Sequence, residues 1–132
     1  MKKNKKAFTF IELIVVITII AVLSVAGVIS YSSANKKSRD ARRISDLEKM
    51  RMALEMVRQT GTTYPDNNSY VNVLSPNYLQ TIPVDPKSGR YQDYYYNIGS
   101  NGYTYSIQVS MESVGYTCLT CTPGFSYKVT NP

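Results

Sequence analysis

The chain has no histidine and no tryptophan, and only two of its 132 residues are cysteine, Cys118 and Cys121. Without histidine there is no Ser–His or Cys–His pair to activate a nucleophile. No glycine-rich phosphate loop is present, and no two carboxylates form a spaced pair within a pocket motif. Catalysis therefore finds little support, and the expectation is a protein that is not an enzyme and has no cofactor and no metal. Proline and glycine are both absent from Ser32 to Thr60. Charge is nearly absent from Phe8 to Ile29, where the single ionisable residue in 22 is Glu12.

That apolar run follows a basic N-terminus of Lys2, Lys3, Lys5 and Lys6. As a helix it would span ~33 Å at ~1.5 Å per residue, about the thickness of a bilayer's hydrocarbon core. In lipid every backbone polar group must pair within the segment, so helix is the realistic state despite the many β-branched residues. A carboxylate inside such a segment costs a few kcal/mol and usually marks function. A signal peptide or simple anchor would also be basic then apolar, with Glu12 shallow among the headgroups.

The string Lys6-Ala7-Phe8-Thr9-Phe10-Ile11-Glu12-Leu13 closely resembles the processing site of type IV pilins and type II secretion pseudopilins. Their usual form is Gly-Phe-Thr-Leu-Ile-Glu-Leu before about twenty apolar residues. Ala7 stands where the family has Gly, and Phe10 where it has Leu. The resemblance implies cleavage between Ala7 and Phe8 by a membrane-embedded prepilin peptidase, and N-methylation of the new Phe8 amine. It further implies assembly through Glu12, the fifth residue of the mature chain, into a homopolymeric filament. The partners implied are further copies of the same chain, the peptidase, an inner-membrane assembly platform, and membrane lipid before assembly.

Fifteen basic against nine acidic residues give a net charge of +6, and removing the four leader lysines leaves +2. Much of the basicity is thus a topological signal and weak evidence for nucleic-acid binding. Lys36, Lys37, Arg39, Arg42 and Arg43 follow the span closely, so charge bias alone does not orient it. The pilin-like leader implies a head on the outer side of the membrane.

Ser32 to Thr60 reads as a soluble continuation of the helix. Leu47, Met50, Leu54 and Val57 form one apolar stripe at helical spacing, suited to packing on a sheet. Asp46–Lys49, Glu48–Arg51, Glu55–Arg58 and Arg51–Glu55 mark a solvated face. Gly61 to Ser69 is dense in turn formers and ends the helix. Pro76, Pro83 and Pro86 exclude a long helix or central strand there. Tyr91–Ile98 and Tyr103–Met111 read as strands of a hairpin turning at Gly99–Gly102, and Ser126–Thr130 as a third strand. Tyr103 to Met111 alternates, so one face is expected apolar and the other wet. Twelve tyrosines cluster late in the chain, either as half-buried sheet packing or as an adhesive surface.

Together these give an α+β fold: a long N-terminal helix, transmembrane in its first half, packed against a small antiparallel sheet. The expected divisions are a leader at 1–7, an apolar helix at 8–31, its amphipathic continuation at 32–60, and a β-rich extracytoplasmic head at 61–132. The run Pro83-Val84-Asp85-Pro86-Lys87-Ser88-Gly89-Arg90-Tyr91 resembles a segment of G-type major pseudopilins, some of which bind calcium in a C-terminal loop. Asp85, Asp93 and Glu112 are the acids nearby, and they match no ligand pattern. For Cys118-x-x-Cys121 a redox site lacks its βαβ context and zinc lacks two ligands. A local disulfide suits an exported head, with free thiols as the alternative. The functional expectation is a pilin or major pseudopilin, first a single-pass precursor in the cytoplasmic membrane and then an extracellular or periplasmic filament subunit. The rival is a signal-anchored or minor tip-located binding protein, for example in DNA uptake or adhesion.

Overall fold

The computed structural model describes residues 8–61, 63–113 and 115–131. Helix α1 runs from Phe10 to Thr60, and the chain divides into two compact units, Met1–Asn35 and Lys36–Pro132. In the first unit the hydroxyls of Thr18, Ser24 and Ser30 donate to the carbonyls of Val15, Ile20 and Ala26 at 2.8, 2.8 and 3.1 Å. Each hydroxyl is thereby satisfied within the helix, as an apolar solvent requires. The apolar side chains around them stay exposed, Phe10 at 79% and Val22 at 71%. Among the described residues, α1 is the one helix long and apolar enough to cross a membrane.

The second unit is built on the later turns of α1. Leu47, Met50, Ala53, Leu54 and Val57 are buried along one face, the stripe that helical spacing predicts. The helix ends where Gly61 N–H donates to Val57 O at 2.9 Å. A short helix α2 follows at Tyr70–Leu74. Then come strands β1 (Tyr95–Ile98), β2 (Tyr105–Val109) and β3 (Tyr127–Thr130), antiparallel in the order β1-β2-β3. Register pairs Tyr96 with Ile107 and Ile107 with Val129, which puts these three on one face with the helix stripe in a single core cluster. β1 is shorter than its aromatic run because Tyr91–Asp93 forms a 3-10 turn before it, and β2 covers only Tyr105–Val109 of the expected Tyr103–Met111. At the hairpin Gly102 has φ +72°, and a Cβ there would meet the Thr63 side chain at 3.2 Å. Both conditions favour glycine.

Tyrosine does most of the aromatic core packing. Tyr64, Tyr70, Tyr94, Tyr96 and Tyr105 are buried, and the rings of all but Tyr94 form a run. Tyr70 stacks on Tyr96 at 4.7 Å, Tyr96 on Tyr105 at 6.2 Å, and Tyr105 meets Tyr64 edge-on at 4.6 Å. The hydroxyls of Tyr64 and Tyr105 donate to Glu55 at 3.0 Å, Tyr94 to Asp46 at 3.2 Å, and Tyr96 to the Pro65 carbonyl at 2.7 Å. Glu55 is therefore a tyrosine acceptor, and Asp46 is almost fully buried at 4% rather than part of a solvated charged face.

The outer face of β2 also departs from the expected alternation. All five β2 residues are buried, Ser106 and Gln108 included. The cause is the chain entering β3. Thr122 N–H donates to Gln108 Oε1 at 2.7 Å, and the Phe125 ring stacks on Tyr95, the residue paired with Gln108, at 5.4 Å. Simple polar alternation cannot distinguish a solvated face from one covered by a hydrogen-bonded loop.

Candidate functional site

Phe8 and Thr9 precede α1 and are not helical. Thr9 occupies the N-cap and Glu12 the third helical position. Thr9 N–H and Thr9 Oγ1–H donate to Glu12 Oε2 at 2.7 and 2.8 Å, and Glu12 N–H returns a bond to Thr9 Oγ1 at 3.3 Å. This is a reciprocal capping box, in which the side chains at each end satisfy backbone donors that the first turn leaves orphaned. Leu13 N–H closes the turn on Thr9 O at 3.3 Å. Phe8 is 90% exposed. Ala7, on the other side of the expected cleavage site, lies outside the described residues. Thr9 was not among the residues singled out from sequence. Its signal was there in Thr9-x-x-Glu12 before an apolar run.

A second constellation lies wholly within the Lys36–Pro132 unit. Arg43 is 3% exposed and reaches three carboxylates: Asp85 at 2.5 Å, Asp40 at 2.7 Å and Glu112 at 2.9 Å. Arg39 grips Glu112 with both Nε and Nη2, at 2.8 and 2.7 Å. The acids are also backbone caps. Asp40 accepts the N–H groups of Glu112 and Ser113 at 3.0 and 2.8 Å, and Asp85 those of Lys87 and Ser88 at 2.8 and 3.0 Å. One buried guanidinium thus ties α1 to the turn after Pro83 and to the loop after β2. Arg39 beside Glu112 holds that carboxyl down to about 2, against 4.5 ordinarily, and outweighs the opposing effect of burial. Burial pushes Asp40 and Asp85 up, but the N–H donors and Arg43 hold both below the usual 3.8. Of the three acids near the Pro83–Tyr91 run, Asp85 and Glu112 answer to arginines, and Asp93 contacts Ser88 Oγ. The Asp40-x-x-Arg43 spacing was legible in sequence, but its two partners 42 and 69 residues beyond Arg43 were not.

Cys118 and Cys121 are joined by a disulfide. The loop they close is also held from outside, by Lys128 Nζ to Thr120 O at 3.3 Å and by Thr122 to Gln108. Closing so short a loop removes little chain entropy, so replacing both cysteines by serine is expected to cost ~2 kcal/mol or less. Alkylation of the native chain before and after reduction should label no thiol, then two. Two thiols labelled without reductant, or a head that no longer unfolds cooperatively in the double variant, would contradict this.

Residues 2–28 match the family model described as the prokaryotic N-terminal methylation motif. The match covers the N-terminal segment with Ala7, Phe8, Thr9 and Glu12, and supports a type IV pilin-like precursor. The motif implies processing by prepilin peptidase, and the apolar helix that follows supports membrane anchoring of that precursor. No curated protein and no solved structure matches the chain.

Proposed function

We propose that this protein is a structural, non-enzymatic subunit of a type IV pilus-like filament. It is made as a single-pass precursor with its head outside, cut between Ala7 and Phe8, N-methylated at Phe8, and delivered by the inner-membrane platform to a growing polymer of itself. The observation that carries this reading is the methylation motif running into an apolar helix whose side chains are exposed along the first unit. Such a surface needs lipid before assembly and neighbouring helices after it. The Pro83–Tyr91 resemblance favours a pseudopilus of the G type, while the small tyrosine-rich head suits a major pilin.

The test is electron microscopy of the sheared surface fraction, with N-terminal sequencing and intact mass of its main subunit. The expected result is filaments whose chain begins at methylated Phe8. A mature chain that keeps Lys2 to Lys6, or one cut deep in the apolar run, would overturn the assignment. Absence from the sheared fraction would favour the anchored binding protein instead.

A further inference from the structure

We infer that Thr9 is the positioning residue for the Glu12 carboxylate, fixing which oxygen stays on its own helix and which is offered to a charged partner. The inference rests on the filament reading above and adds a second residue to it. Both Thr9 bonds fall on Glu12 Oε2. Oε1 accepts none among the described residues, so the carboxylate has one committed and one open oxygen.

The placement has a chemical consequence. The N–H that Glu12 accepts belongs to the peptide bond between Phe8 and Thr9. The committed oxygen is therefore held one residue from the nitrogen that cleavage turns into an amine. In an apolar environment a carboxylate with no donors is costly, and two donors from Thr9 offset part of that cost before any partner arrives. They also select one arrangement of a side chain that otherwise has three rotatable bonds to order.

The hydroxyl makes two of the three contacts, so it can be removed without altering side-chain shape. In cells carrying the variant as sole subunit, Thr9→Val should keep wild-type membrane levels and Phe8 processing, with filament yield down about tenfold. Thr9→Ser, which keeps the hydroxyl, should restore it to within about twofold. A merely steric role for Thr9 would show the reverse order. A second readout needs no filament. In detergent micelles, exchange of the Glu12 backbone N–H should quicken about fivefold in Thr9→Val and stay near wild type in Thr9→Ser.

Wild-type filament yield from Thr9→Val, failure of Thr9→Ser to rescue, or unchanged Glu12 exchange would each overturn the proposal. Glu12→Gln run in parallel separates the two layers. Normal filaments from that variant remove the registering carboxylate itself. Loss in Glu12→Gln beside normal yield in Thr9→Val removes only the role of Thr9.

Discussion

Glu12→Gln is expected to leave membrane levels and cleavage at Ala7 unchanged while filament yield falls ~100-fold or more. The substitution is a clean probe because the capping box tolerates it. A glutamine carbonyl can accept from Thr9 N–H and Oγ1 as Glu12 Oε2 does at 2.7 and 2.8 Å, and glutamine is the other residue this motif accepts at its third helical position. The start of α1 should survive, and only the charge is lost. In the filament proposed above that charge would sit among apolar helices, where the Phe8 amine of its own or a neighbouring chain would be its partner. Pairing offsets part of the cost of burial, and a subunit added out of register would leave both charges unpaired. The uncleaved chain has an amide at Phe8 and no amine, so on the same proposal precursors would lack the partner charge that assembly needs. Abundant filaments from Glu12→Gln as the sole subunit would show that this carboxylate does not set the register. Loss of membrane protein would place its role in folding or insertion instead.

Arg43→Met is expected to destabilise the head by ~3–5 kcal/mol, the scale for breaking a buried ion cluster from one side. The shape of the side chain is roughly kept, but Asp40 and Asp85 lose their buried counter-charge, and Glu112 retains Arg39 with Lys87 at 3.6 Å. For a domain of this size the midpoint should fall by ~15 °C or more, followed by tyrosine near-UV dichroism of the full chain in detergent. The effect should depend on pH. Glu112 has its folded value depressed to about 2 from 4.5. Its contribution is fully present above the ordinary value and is lost as pH falls through the depressed one. Asp40 and Asp85 are shifted in the same direction from 3.8. Wild-type stability should thus be flat above about pH 5 and fall steeply toward about pH 2, while Arg43→Met shows a shallower fall and approaches wild type at the acid end. A variant that unfolds like wild type at neutral pH, or a gap that widens in acid, would contradict the cluster's role.

These two experiments address different parts of the chain with different legibility. The N-terminal segment could be read from sequence because its information is local. A lysine-rich start, a small residue at Ala7, a carboxylate at Glu12 and an unbroken apolar run lie within 29 residues, and lipid admits only a helix for such a run. The buried stripe Leu47–Met50–Leu54–Val57 was equally legible, since helical periodicity alone places those residues on one face.

Tertiary structure decided what long-range partners decide. Arg43 counted in the sequence only among the cations that follow the apolar span, and Asp85 and Glu112, distant in sequence, close around it. Glu55 looked like half of a helical ion pair and instead takes the hydroxyls of Tyr64 and Tyr105. Gln108 read as a solvent-facing strand residue, yet the chain leading into β3 covers it and uses its amide oxygen. In each case the residue type allows both water and a protein partner, at similar free energy when hydrogen bonds are exchanged. The helix, its apolar face and the N-terminal methylation motif are local features, readable because backbone sterics and solvent transfer act on neighbouring residues. Which polar side chains are buried depended on where loops far along the chain come to rest, and only the folded head decides that.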